Sequence, residues 1–254
     1  MPQVSIITPT YNCARFIEET IKSVQAQTFT DWEMIISDDC SSDNTKEVIA
    51  PYLASDSRIK YICNDKNSGA AITRNNALRI ASGRWIAFLD SDDLWLTEKL
   101  EKQISFMIEN GINFSYTNYS EIDENGNPLG IVVTGPRKIS KFGMYAYCWP
   151  GCLTVMYDSQ YVGLIQIDDI KKNNDYALWL KVIKRADCYL LKENLAKYRK
   201  RAGSISNHSY SSLIKWHYRL FKENDKRNSF VSSILTLGNI VFGICKKFIY
   251  IKHF

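Results

Sequence analysis

Along the first 110 positions, apolar residues recur in two alternating rhythms. Short β-branched and aromatic runs at residues 4–8, 32–37, 59–63 and 85–89 predict buried strands. Pro9 closes the first, since proline cannot donate to a ladder. Segments of helical spacing lie between them. Residues 14–27 carry Ile17, Ile21 and Val24 at i, i+4 and i+7, one stripe of a helix. Ser42, Asp43 and Asn44 are cap residues ahead of a helix over 45–52. Asn67-Ser68-Gly69 forms a turn into a helix over 70–81, which Ser82-Gly83 stops. Thr97 then caps a helix to Asn110 with Leu100, Ile104 and Ile108 on one face. Because each parallel crossover needs a helix, this alternation predicts an α/β fold: a mostly parallel central sheet with helices on both faces.

The second half is less regular. A strand is expected over 112–119. A turn at DENGNP (123–128) follows, with a returning arm over 131–134. Residues 152–157 read as a strand, and 175–184 as a helix with Leu178, Trp179 and Val182 inward. Short strands are expected at 189–191 and 195–198, then two helices over 211–223 and 229–250.

Composition narrows the class. The 254 residues are 45% apolar and 23% charged, which is globular and neither disordered nor collagen-like. A chain this long buries about 70% of its unfolded surface, so it needs no disulfide or metal to fold. Seven cysteines without a CxxC pair fit reduced, mostly buried thiols, and three histidines without ligand spacing argue against structural zinc. The opening MPQVSIITPTYN lacks the basic leader and long apolar core of a signal peptide. The net charge of +5 is uneven: residues 213–254 carry eight Lys or Arg and two acids, leaving the remainder slightly acidic. A catalytic portion that is not basic argues against nucleic acid as a partner.

Polar chemistry collects where strands are expected to end: Thr8-Pro9-Thr10-Tyr11, Asp38-Asp39 and Asp90-Ser91-Asp92-Asp93. Open α/β sheets bind ligands beyond the carboxyl ends of their strands. Acids beside a buried strand are costly unless solvated or paired with a cation. Asp90 and Asp92, one residue apart, can face one hard divalent ion, which takes one or two carboxylates together with substrate phosphates. No GxGxxG or GxxxxGK[ST] is present to hold phosphates by backbone alone.

In order, VSIITPTYN, SDDCSSDNT, NSGAAITRNNAL and FLDSDDLW closely resemble the GT-A fold glycosyltransferases of family 2, of the bacterial surface-polysaccharide type. NDYALWLKV and LAKYRKRAGSIS resemble that family's acceptor-side segments. The resemblance covers residues 3–206 and implies a Rossmann-like nucleotide-diphospho-sugar transferase fold. A catalytic domain would span 1–206, with its donor half at 1–110 and acceptor half at 111–206, and a basic, apolar helical segment would span 207–254.

The resemblance implies roles residue by residue. Pro9 and Tyr11 would pack the nucleobase, an aromatic face having ordinary reason to stack there. Asp39 would accept from the base ring N–H, which favours UDP and leaves dTDP open. Asp38 would either assist or only order the loop. Arg74 would lie by the diphosphate. Asp90 would contact the donor ribose or the metal's water shell, Ser91 would contact the donor, and Asp92 would bind Mn²⁺ or Mg²⁺; Asp93 would be structural or a support to the metal site. Asp175 would be the base of an inverting transfer, taking the acceptor hydroxyl's proton, or else the cap of its helix, or both. The partners implied are a nucleotide-sugar donor and a glycan or lipid-linked glycan acceptor, as in O-antigen or capsule synthesis. The location implied is the cytoplasm or the inner face of the cytoplasmic membrane.

Two positions depart from the family pattern: Asn174 precedes the base where an acid is common, and Cys40 stands where Gly is common. Cys40 disfavours positive φ, so a differently shaped loop is expected. The basic run KYRKR (197–201) reads either as a lid over diphosphate or an anionic acceptor, or as a solvated strand, and His208 as a further metal ligand at most. At the C-terminal end, 17 uncharged residues (229–245) would make a helix of about 25 Å, short of the about 30 Å of a hydrocarbon core. With Lys246-Lys247 and FIYIKHF after it, the segment suits an anionic membrane surface or packing on the catalytic domain. The rival readings are an inactive nucleotide-sugar-binding scaffold at the membrane, encouraged by Asn174 and Cys40, and a haloacid-dehalogenase-type phosphatase built on FLDSDD. The second leaves Tyr11, Asp39 and Asp175 without a role.

Overall fold

A computed structural model describes residues 2–201 and 210–254. The chain runs β1 (Val4–Thr10), α1 (Ile17–Gln25), β2 (Trp32–Asp38), α2 (Thr45–Ser55), β3 (Ile59–Cys63), α3 (Ala70–Ile80), β4 (Trp85–Phe88), β5 (Leu94–Trp95) and α4 (Lys99–Glu109). It continues through β6 (Phe114–Ile122), β7 (Pro128–Val133), β8 (Lys138–Ile139), α5 (Lys141–Ala146), β9 (Met156–Asp158), α6 (Ser159–Val162), α7 (Asn174–Val182) and β10 (Cys188–Arg199). The C-terminal part holds α8 (Tyr210–Arg219), a π-helical turn (Leu220–Asn224), α9 (Ser229–Ile249) and β11 (Ile251–His253).

The strands form one sheet in the order β11-β7-β6-β9-β4-β1-β2-β3, with β10 beside β6 and short β5 and β8 on β10. In its first half β3, β2, β1 and β4 are all parallel. The second half is largely antiparallel, with β10 parallel to β6 as the exception among the described pairs. Alternation along the strands feeds two cores. Val4, Ile6, Met34 and Ile36 pack with Ile17, Ile21 and Val24 on one face, while Ile7, Ile35 and Phe88 pack with Leu78 and Trp179 on the other. Helices therefore cover both faces, as the sequence predicts.

Local differences have physical causes. Strand β1 runs through Pro9, which pairs with Ser37 of β2, whereas the β4 pairing stops at Ile7. The missing N–H thus falls where β1 has lost one neighbour. Helix α4 buries Met107 in place of Ile108, which is exposed, and the position before it is Glu98 without a side-chain cap. Residues 152–157 form a 3₁₀ turn (Cys152–Thr154) before the short β9, where a full strand was expected. The two strands expected at 189–191 and 195–198 are one, β10, with irregular pairing between Leu191 and Ala196. Gly83 serves by its lack of a side chain: a Cβ there would lie 2.5 Å from the Ser5 nitrogen.

The boundary expected at 206/207 lies outside the described residues. Beyond it, Leu220 and Phe221 are buried in the main core, and β11 adds to the sheet against β7. The cysteines are all unpaired, with Cys13, Cys152 and Cys188 buried but Cys40 and Cys63 exposed.

Candidate active site

Because β1, β2 and β4 are parallel, their carboxyl ends reach one edge of the sheet, and that edge carries Thr10–Tyr11, Asp38–Asp39 and Asp90–Asp93. At the end of β1, Pro9 is half-buried and the Tyr11 ring is 47% exposed, open to a flat ligand. Asp38 and Asp39 are both buried. Asp38 accepts from the Ser41 N–H and hydroxyl and from the Tyr61 hydroxyl, so both its oxygens order the loop. Those bonds hold Cys40 at φ +63°, so the loop keeps the left-handed turn that the side chain was expected to disturb. Asp39 accepts from Asn64 Nδ2 and from the Ser68 and Gly69 N–H groups, joining the end of β2 to the turn before α3. Gly69 sits at φ +86°, a conformation that side chains rarely adopt, which is why the Asn-Ser-Gly turn needs glycine there.

From α3, the buried Arg74 reaches across the cleft. Its Nη2 donates to Asp90 and its Nη1 to the side-chain oxygen of Asn174. Burial works against the Arg74 charge, but Asp90 and Asp175 outweigh it and hold the guanidinium above its ordinary value. Asn174 thus orients Arg74 through its carboxamide oxygen. The neighbouring Asn75 exchanges two 2.7 Å hydrogen bonds with Ile167, tying α3 to the segment that leads into α7.

Asp175 is the second residue of α7; the cap position belongs to Asn173, at φ +59°. Desolvation raises the Asp175 carboxyl, opposed in part by Arg74 and by backbone N–H groups of the first turn. Helix α7 is fixed by Trp179, which meets Phe88 edge-on at 5.1 Å and also touches Phe114. Since Phe88 ends β4, the strand that leads to Asp90, this contact packs the helix that carries Asp175 against the strand below the acidic tip.

At that tip, the Ser91 side chain is buried and its carbonyl accepts from Thr20 and Cys13. Asp93 is fully enclosed and accepts from the Arg199 N–H. Desolvation, together with Asp92 and Asp90, pushes its carboxyl well above the usual range. The KYRKR run lies at the end of a strand, but not one that is solvated along its length. Strand β10 turns Arg199 inward, 1% exposed, where it donates to the Asp92 and Glu124 carbonyls and to Glu19, while Lys200 points out. Arg201 places its Nε on Asp92. Desolvation raises the Asp92 carboxyl, and Arg201 works against that rise. Sequence reasoning singled out the run as a whole but not the separate parts of Arg199 and Arg201; their alternation with lysines in a strand was the available signal.

Among the described residues, no group of three or more His, Cys, Asp or Glu could hold a metal by itself. His208 lies outside the described residues. The donors at the tip are nevertheless hard carboxylate oxygens, Asp90 and Asp92, each with one oxygen on an arginine. Such a set suits an ion that completes its shell with water and substrate phosphates.

Residues 5–148 match the family model described as glycosyl transferase family 2. The chain belongs to that family. This family 2 glycosyltransferase is 43% identical over 215 residues to a putative teichuronic acid biosynthesis glycosyltransferase, TuaG, of Bacillus subtilis (strain 168), covering 84% of this chain and 85% of the relative. It is also 43% identical over 212 residues to WfgD of Escherichia coli, a UDP-Glc:alpha-D-GlcNAc-diphosphoundecaprenol beta-1,3-glucosyltransferase, covering 83% and 82%. Its fold matches a crystal structure of S. aureus TarS 1–349 in complex with UDP-GlcNAc, with a TM-score of 0.69 at 21% identity over 93% of this chain and 70% of that one. The enzyme therefore has the GT-A fold, whose members commonly use a divalent metal.

Proposed function

We propose that the enzyme moves one sugar, with inversion, from a UDP-sugar to a hydroxyl of a lipid-linked glycan at the cytoplasmic membrane. The observation that carries the reading is the Arg74 guanidinium, which bonds both to Asp90 at the β4 tip and to Asn174 beside Asp175. One cation thus joins a donor-diphosphate side to an acceptor-base side. The acceptor class follows the substrate in the name of the E. coli relative, and the uracil base follows the UDP-GlcNAc bound to TarS.

The nucleobase stacks on Tyr11 beside Pro9, and its ring N–H donates to Asp39, whose loop Asp38 keeps in shape. Asp90 and Ser91 line the ribose and diphosphate path. Mn²⁺ or Mg²⁺ held by Asp92 would neutralise diphosphate charge. Arg74 stabilises the same charge as it develops on the leaving group. Asp175 removes the acceptor hydroxyl's proton while the oxygen forms its bond to the anomeric carbon; the bond from that carbon to the diphosphate oxygen breaks, and UDP leaves with the electron pair. Burial suits Asp175 to this role, because a raised carboxylate is the stronger base.

Calorimetry with UDP and Mn²⁺, beside a transfer assay with a diphospholipid-linked sugar, tests the assignment. Asp175→Asn keeps UDP affinity and loses about 10²–10⁴-fold in rate. Asp92→Ala loses the metal-dependent part of UDP binding. Wild-type transfer by Asp175→Asn removes that residue as the base. Binding without turnover for any donor and acceptor favours the scaffold reading.

A further inference from the structure

Helix α9 is built inside out. Its buried residues are Ser232, Thr236 and Asn239. The opposite stripe carries Phe230, Ile234, Leu237, Val241, Ile244 and Phe248, all exposed, with Phe230 at 75% and Phe248 at 83%. Spacings of four, three, four, three and four keep these side chains on one face along the whole helix. A continuous outward apolar stripe of this length is not the scatter of single apolar residues found on ordinary surfaces.

The helix has 21 residues, about 31 Å at 1.5 Å per residue, and its length and composition would allow it to cross a membrane. Its attachments forbid that arrangement. Before it, Leu220 and Phe221 are buried in the main core, and Asp225 is held by Tyr145, Lys184 and Arg227. After it, Ile251–His253 pairs with β7. Midway, Asn239 donates to the Tyr145 carbonyl and Lys246 to the Trp149 carbonyl. Both ends and the middle belong to one body, so both ends stay on one side of any bilayer.

Charge selects the occupant of the exposed stripe. Lys215, Lys222, Lys226, Lys247 and Lys252 are exposed around it, and α9 contains no acidic residue. A second copy meeting this face would bring two basic segments together, whereas an anionic bilayer neutralises them. Beside the stripe, α8 and α9 enclose a groove of about 480 Å³ lined by Ile214, Tyr218, Leu237 and Ile240 together with Lys215, Arg219 and Glu223, the last paired with Arg219.

We infer that α9 lies flat in the headgroup region of an anionic membrane, its Phe230–Phe248 stripe in the acyl boundary and its polar stripe on the enzyme. This deepens the lipid-linked acceptor reading and rests on it only for the acceptor's chemistry. The segment behind α9 also meets the start of α7: Asn239 donates to the Tyr145 carbonyl, and the hydroxyl of Tyr176, the residue after Asp175, donates to the adjoining Met144 carbonyl. An acceptor whose lipid stays in the bilayer would present its sugar on the Asp175 side.

Flotation of the full chain with vesicles of phosphatidylcholine, with and without phosphatidylglycerol, tests the surface without any transfer assay. The wild-type chain should float with the anionic vesicles and far less with the neutral ones. Phe230→Ser, Leu237→Ser and Phe248→Ser combined should weaken this by about a hundredfold with an unchanged circular dichroism spectrum, since all three side chains are largely exposed. As a second measurement, Leu237→Trp should be quenched by lipids brominated in their acyl chains. A wild-type chain that does not float, a triple variant that floats as well as wild type, or an unquenched Trp overturns the inference. So does a wild-type dimer that the triple variant makes monomeric while neither binds vesicles.

Discussion

Helices α1 and α9 distribute their residues in opposite ways. Helix α1 buries Ile17, Ile21 and Val24 and turns Glu18, Glu19 and Lys22 to water. Helix α9 buries Ser232, Thr236 and Asn239 and turns out a stripe of large apolar side chains. Both have helical periodicity, yet only α1 draws its stability from apolar burial against the sheet. Helix α9 is held by hydrogen bonds to Tyr145 and Trp149, by Leu235 and Phe242 at the edge of the core, and by its attachments at either end. Periodicity reports that a helix has two faces; which face meets protein depends on what the rest of the chain offers.

The sharpest way to break this comparison is a matched pair of truncations followed by urea unfolding. Ile21→Ala removes a side chain with no exposure and should cost about 2–5 kcal/mol. Leu237→Ala removes one that is 63% exposed and should stay within about 0.5 kcal/mol. Equal losses would mean that α9 is buried in solution after all.

A second measurement sharpens the contrast at the cleft, where a charged group, not an apolar one, carries the desolvation. The transfer rate read against pH should fall on the acid side above the ordinary aspartate value of 3.8, because burial raises Asp175 and only its deprotonated form accepts a proton. Arg74 narrows that displacement without cancelling it. An acid limb at or below the ordinary value would mean a solvated carboxylate or a different base.

The smallest expected effect lies in the loop after β2. Cys40 holds φ +63° with a side chain present, so Cys40→Gly should raise stability by about 0.5–1 kcal/mol in the same unfolding assay. No change would mean that the Ser41 bonds to Asp38 carry the turn without strain.

Much of residues 1–110 was legible because the strands there are β-branched and separated by helices, α1 above all, with clear stripes. The acidic strand tips followed from the same alternation, since parallel strands must end together. The two- and three-residue strands β5, β8 and β11 were not legible; each exists only because β10 or β7 offers an edge, and so short a segment has no period of its own. Arg199 was hidden for a related reason. A lysine–arginine run looks solvated until α1 and the loop after β4 bring Glu19 and the Asp92 carbonyl against Arg199. Asn174 looked like a loss because an acid is common there. Its carboxamide oxygen holds Arg74, a role open to any acceptor but unreadable without α3 in place.

The bridge from Asp90 through Arg74 to Asn174 spans segments a hundred positions apart, and it limits how such an enzyme can diversify. A change at Arg74 would release Asp90 and the start of α7 at once, so the two sides of the cleft are bound to vary in concert.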